Sequence, residues 1–76
     1  MQLNWQDYIE ERKEVMMGKP VFKDTRLTVA HTLQELGTGR SQEELLAGYP
    51  QLTPEHLHAA MLFSTALIGM DQSIYV

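Results

Sequence analysis

The chain has 76 residues, no cysteine and a formal net charge of −4. That length allows one core and no second domain, and a chain so short buries only about 60% of its unfolded surface. Without cysteine there is no disulfide, no thiolate metal cage and no thiol nucleophile, so pairing with itself or another chain is favoured as a source of added stability.

No apolar run reaches the roughly 18 residues that span a bilayer, and the amino terminus lacks a basic start followed by an apolar block. The expectation is a soluble, cytoplasmic protein in one domain over residues 1–76. Residues 1–27 read as an extended or β arm, 28–70 as a helical core and 71–76 as a tail.

Taken in order, Leu3, Trp5, Tyr8 and Ile9 form an apolar cluster. Trp5 and Tyr8 read as core cover, although their amphipathic rings also suit an interface with another chain. Tyr8–Glu10, Val15–Met17 and Val21–Lys23 are candidate short strands. The joint of the chain is Gly18–Val29, where Gly18 and Pro20 punctuate the backbone and apolar and polar residues then alternate. Asp24-Thr25 predicts a tight turn, since Asp tolerates unusual backbone angles.

The first helix starts at Thr28, its cap, with Val29, Leu33 and Leu36 as one apolar stripe. Gly37 and Gly39 end it. Ser41-Gln42-Glu43-Glu44 predicts a capping box opening a second helix, which Gly48-Tyr49-Pro50 closes. The cap and the helix dipole account for both acids without any catalytic role. Thr53 and Pro54 open a third helix, with Leu52 placed to staple onto Leu57. Its expected core stripe is Leu57, Ala60, Met61, Ser64, Leu67 and Ile68. Ala59, Leu62, Phe63 and Ala66 lie on the back, so this helix is apolar nearly all round. Two coverings fit that back: another chain on Leu62, Phe63 and Ala66, or the Trp5 cluster folded over it. The Ile74-Tyr75-Val76 tail could join the same contact.

The chemistry is mostly exclusion. His56 and His58 point about 200° apart on a helix and cannot share a metal, and His31 has no ligand partner at a suitable spacing. No Gly-x-Ser-x-Gly frames Ser41, Ser64 or Ser73, and neither a P-loop nor a dinucleotide fingerprint is present. No catalytic, metal or cofactor residue is assigned, and the chain does not read as an enzyme.

Charge divides the chain. All six basic residues (Arg12, Lys13, Lys19, Lys23, Arg26 and Arg40) precede residue 41, balanced there by six acids. Glu43, Glu44, Glu55 and Asp71 carry the deficit of the second half, which has no Lys or Arg. Three short helices resemble a helix-turn-helix arrangement, but a recognition helix at Pro54-Glu55-His56 would offer phosphates no cation. Any DNA contact therefore falls to Lys19, Lys23, Arg26 and Arg40, with Arg12 and Lys13 as neighbours. Their other reading is solvated surface, except that Arg26 could pin the β element to the helices through an acid such as Glu35.

Gly18-Lys19-Pro20-Val21, Thr25-Arg26-Leu27-Thr28-Val29, Gly39-x-Ser41-x-x-Glu44-x-Leu46 and Tyr49-Pro50-x-Leu52-Thr53-Pro54-Glu55 together resemble domain-of-unknown-function family 433 over about residues 5–68. This sequence has Asp24 where that family usually has glycine. The resemblance implies a mainly α, three-helix, helix-turn-helix-like domain with a short N-terminal β element. It also implies an antitoxin of a type II toxin–antitoxin pair, partnered with a PIN-like toxin protein. The expectation is a homodimer that masks the toxin through Trp5, Tyr8, Leu62, Phe63, Ala66 and Tyr75, and represses its own operon by binding operator DNA. A stand-alone DNA-binding transcriptional regulator and a structural subunit of a larger complex are the alternatives.

Overall fold

In the computed structural model, which describes residues 3–69, the chain opens on a 3-10 turn over Trp5–Asp7. Asn4 starts it by accepting the Gln6 N–H on its side-chain oxygen at 3.2 Å. Two strands follow, β1 (Ile9–Glu10) and β2 (Val21–Phe22), paired antiparallel with Ile9 opposite Phe22 and Glu10 opposite Val21. A ribbon this short is marginal in water by itself. It persists because Ile9, Val21 and Phe22 are buried against the rest of the chain.

The strand expected at Val15–Met17 does not form. Met16, Met17 and Gly18 take φ of 49°, 58° and 85°, a left-handed turn. Gly18 N–H donates to the Val15 carbonyl and Lys19 N–H to the Met16 carbonyl, both at 3.1 Å. Side chains in this region cost about 1–2 kcal/mol per residue, because Cβ crowds the following carbonyl. Buried Val15 anchors the turn, while Met17 is 92% exposed at its tip.

After β2 the chain reverses at Asp24, whose φ of 63° is the unusual angle expected of it. Thr25 holds this reversal from inside: its hydroxyl donates to the Phe22 carbonyl at 2.8 Å and accepts the Leu27 N–H at 3.0 Å. Thr28 then bridges back to Val21, and Val29 N–H donates to the Pro20 carbonyl at 3.0 Å. The Gly-Lys-Pro and Thr-Arg motifs are thus two sides of one folded reversal.

Helix α1 spans Val29–Gly37, with Thr28 accepting the His31 N–H at 3.1 Å as its cap. It ends in a Schellman turn: Gly39 N–H reaches the Leu36 carbonyl and Arg40 N–H the Glu35 carbonyl, with Gly39 at φ 109°. Helix α2 (Gln42–Gly48) begins in the expected capping box, Glu44 N–H to Ser41 Oγ at 3.1 Å and Ser41 N–H to Glu44 Oε1 at 2.9 Å. Helix α3 (Pro54–Gly69) packs chiefly on the N-terminal 3-10 turn and on α1. The molecule is a small, mainly α domain of three helices with a two-stranded sheet at its start.

The core joins Ile9, Phe22, Val29, Leu45, Leu52, Leu57, Ala59, Ala60 and Phe63. Phe22, Leu45 and Leu57 are fully enclosed, each contributing about 1.5–3 kcal/mol of hydrophobic stabilisation. Thr32 is enclosed too, without stranding a polar group, because its hydroxyl donates to the Val29 carbonyl at 2.8 Å.

The buried stripe of α3 differs from the expected one. Ala59 and Phe63 face inward with Leu57 and Ala60, whereas Met61, Leu67 and Ile68 are exposed. Trp5 lies over that side: its ring meets Phe63 edge-on at 4.8 Å, and Phe63 joins the core cluster beneath it.

Candidate interaction surfaces

Phe63 is only 6% exposed and Trp5 covers it, so both belong to this chain's own packing. The expectation that Phe63 meets another chain is corrected accordingly. Tyr8 is half-buried and makes an edge contact with His56 at 5.1 Å. Tyr75 and the 71–76 tail lie outside the described residues.

Apart from Leu67 near its end, the apolar and small side chains that remain outward on α3 form a band of Met61, Leu62, Thr65, Ala66 and Ile68. Leu62 is 44% exposed. At 100° per residue these side chains form two adjoining ridges, Met61–Thr65 and Leu62–Ala66, about 100° apart around the axis. Glu55 is the single charged side chain of the helix, and it projects near the Leu62–Ala66 ridge at its N-terminal end. The Met16–Met17 turn is a second exposed apolar feature, which sequence reasoning missed by taking it for a strand. Two adjacent methionines before a glycine carry no signal of a left-handed turn.

The basic candidates part company. Lys19, Lys23 and Arg26 are exposed on or beside the β2 reversal. An open cleft of about 370 Å³ lies next to them, lined by Glu10, Arg12, Val15, Asp24, Thr25 and Arg26. Its two arginines face two carboxylates, and Arg12 Nε stands 3.9 Å from Glu10. Arg40 is engaged elsewhere. The Schellman turn returns it over α1, where its guanidinium pairs with Glu35 Oε1, and Nη2 reaches the Glu44 carbonyl at 3.4 Å. The partner expected for Glu35 was Arg26; it is Arg40 instead. Gly48 leaves the space, since a Cβ there would stand 3.0 Å from Arg40 Nη2.

Glu35 is the hub of this corner. Its Oε2 accepts the Tyr49 hydroxyl at 2.8 Å and lies against His31 Nε2, which also stands 3.1 Å from that hydroxyl. The Tyr49 hydrogen bond first, and the Arg40 guanidinium second, hold the Glu35 carboxyl below its ordinary pKa. The same carboxylate pushes the Tyr49 hydroxyl up. Glu44 is held low by the Ser41 backbone N–H of the capping box. These bonds staple α1 to the end of α2 around the Glu35 carboxylate.

His56 is a helix-end residue of an unexpected kind. Its Nδ1 accepts the Thr53 N–H at 3.0 Å, the reach-back half of a capping box, where Glu or Gln is usual, while the His56 N–H goes to the Thr53 carbonyl at 2.9 Å. Its ring lies edge-on to both Tyr8 and Phe22, and that burial lowers its pKa. Among the described residues no group of three His, Asp or Glu side chains is placed to hold a metal ion. No described helix is long and apolar enough to cross a membrane.

The family model described as "Protein of unknown function (DUF433)" matches residues 9–64. The chain belongs to the DUF433 family. No curated protein and no solved structure matches it. The DUF433 stretch takes in both strands, α1, α2 and the first part of α3. Trp5 lies before it, and Thr65 and Ala66 lie after it. The two α3 ridges therefore begin inside the DUF433 match, at Met61 and Leu62, and end beyond it.

Proposed function

We propose that this chain is the antitoxin of a type II toxin–antitoxin pair: a cytoplasmic homodimer that masks a PIN-like nuclease toxin by covering its surface. It also represses its own operon. The observation that carries the reading is the Leu62–Ala66 ridge. It is an apolar surface on a helix whose only charge is Glu55, in a half of the chain that has acids and no Lys or Arg. A nuclease must present cations to RNA phosphates, and an apolar ridge edged by Glu55 suits such a surface. Phe63 and Trp5 leave the contact set, whereas Leu62 and Ala66 remain in it.

The test is solution mass by light scattering, with the chain alone and then co-expressed with the neighbouring toxin-like gene product. A stable complex that Leu62→Glu abolishes supports the reading. A chain that ignores its neighbour overturns it.

The stand-alone regulator is kept as a second reading on one observation: Lys19, Lys23 and Arg26 are exposed together on the β2 side. Operator binding there would weaken steeply with salt, the logarithmic slope growing by about one for each phosphate the protein neutralises. Alanine at all three residues should abolish it, while Arg40→Ala should act through stability, because Arg40 is committed to Glu35.

A further inference from the structure

We infer that the Met61–Thr65 ridge of α3 is a homodimer seam, on which α3 of one copy packs antiparallel against α3 of a second copy. His58, Met61, Thr65 and Ile68 are all exposed and recur at intervals of three, four and three residues. That is the spacing of the seam positions in a helix pair. In an antiparallel two-fold pair centred between 61 and 65, Met61 of each copy faces Thr65 of the other. The long, flexible side chain meets the small one twice, which makes the surface self-complementary.

Three further observations favour a second copy over a charged partner at this ridge. The ridge bears no Asp, Glu, Lys or Arg, so two-fold pairing brings no like charges together and a charged partner would find nothing to answer it. Thr65 donates its hydroxyl to the Met61 carbonyl at 3.0 Å, so burying it strands no polar group. Glu55, the one charge of the helix, sits near its start in line with the Leu62–Ala66 ridge, about 100° around the axis from the seam, and antiparallel packing separates the two copies of it.

The contact is small. Sixteen residues of helix are about 24 Å long, and a single helix pair of that length buries less than the roughly 800 Å² per partner of a standard interface. A contact of that size suits a reversible dimer. This deepens the homodimer part of the antitoxin reading and needs no toxin. It uses the ridge beside Leu62–Ala66, so the two surfaces can fail separately.

The absence of cysteine makes the test direct. Full-length chains carrying Met61→Cys are mixed with chains carrying Thr65→Cys and oxidised mildly, alongside each variant alone. The mixture is expected to cross-link at least several-fold faster than either variant by itself, because residue 61 faces residue 65. In parallel, sedimentation equilibrium on the wild type should show mass rising from one chain to two with concentration, and Met61→Glu and Thr65→Glu should each hold it at one. Both positions are exposed, so circular dichroism should report an unchanged fold. Equal or faster cross-linking within a single variant would mean another alignment and overturn the proposal. So would a wild type that stays monomeric at hundreds of micromolar, or a dimer indifferent to both glutamates.

Discussion

Trp5 and Phe63 lie 58 positions apart in sequence and meet edge to face, with ring centroids at 4.8 Å and an interplanar angle of 69°. The contact ties the amino-terminal turn to the longest helix and decides which side of α3 faces out. Trp5→Ala should cost about 3 kcal/mol, the low end for aromatic truncation because Trp5 is only half-buried. Urea unfolding at neutral pH measures it. Trp5 is also the only tryptophan, so its fluorescence should report on Phe63 directly. A cost below about 0.5 kcal/mol would mean that Phe63 is held by other neighbours.

The reversal at Met16–Met17 stores strain that glycine should release. Met17 has φ 58°, and its side chain lies almost wholly in solvent. Met17→Gly should stabilise the fold by about 1 kcal/mol, the left-handed cost less the extra chain entropy of glycine. Asp24→Gly should act in the same direction and by less, since Asp tolerates φ 63° better than Met tolerates 58°. Thermal melts of both variants check the order. A destabilised Met17→Gly chain would show that the methionine side chain is itself packed in solution.

His56 couples stability to pH through its unprotonated ring. Nδ1 accepts the Thr53 N–H, a role closed to the imidazolium, and burial lowers the pKa below the ordinary 6.5. As pH falls, the unfolded chain takes up this proton before the native one does. The contribution is therefore complete above about pH 6.5 and is lost as pH falls through the depressed native value. Melts from pH 8 to pH 5 should show the wild type losing stability relative to His56→Gln, which keeps a capping acceptor but cannot titrate. Parallel curves would remove His56 from the cap.

Glu35 acts at lower pH with the same sign. Its carboxyl is depressed chiefly by the Tyr49 hydroxyl and then by Arg40, so its contribution is present above about pH 4.5 and lost as pH falls through the native value. Tyr49→Phe should raise the Glu35 titration midpoint, followed by carboxyl carbon NMR, and move acid unfolding to higher pH. A midpoint that does not move would mean that Arg40 alone holds the carboxylate.

Helix ends were legible in the sequence because their signals are local. Thr28, Ser41 with Glu44, and Gly39 each meet a backbone group within five residues, and Pro54 brings a φ fixed for a helix start, so residue type and spacing suffice to place them. The Asp24 turn was legible for the same reason. His56 in a glutamate's place at the third cap was not, because the packing of Tyr8 and Phe22 on its ring is a tertiary contact.

The sequence by itself thus determined the three helices of the described residues, the caps at which they start, the family and the concentration of positive charge in the first half. Only the tertiary structure decided which face of α3 is core. An all-round apolar helix has no internal preference for a buried side; its orientation follows from what packs on it, and Trp5, far away in sequence, packs on Phe63. The choice of Arg40 over Arg26 for Glu35 has the same origin. It depends on a Schellman turn folding the chain back over its own helix, a geometry that charge and spacing leave open until the backbone is in place.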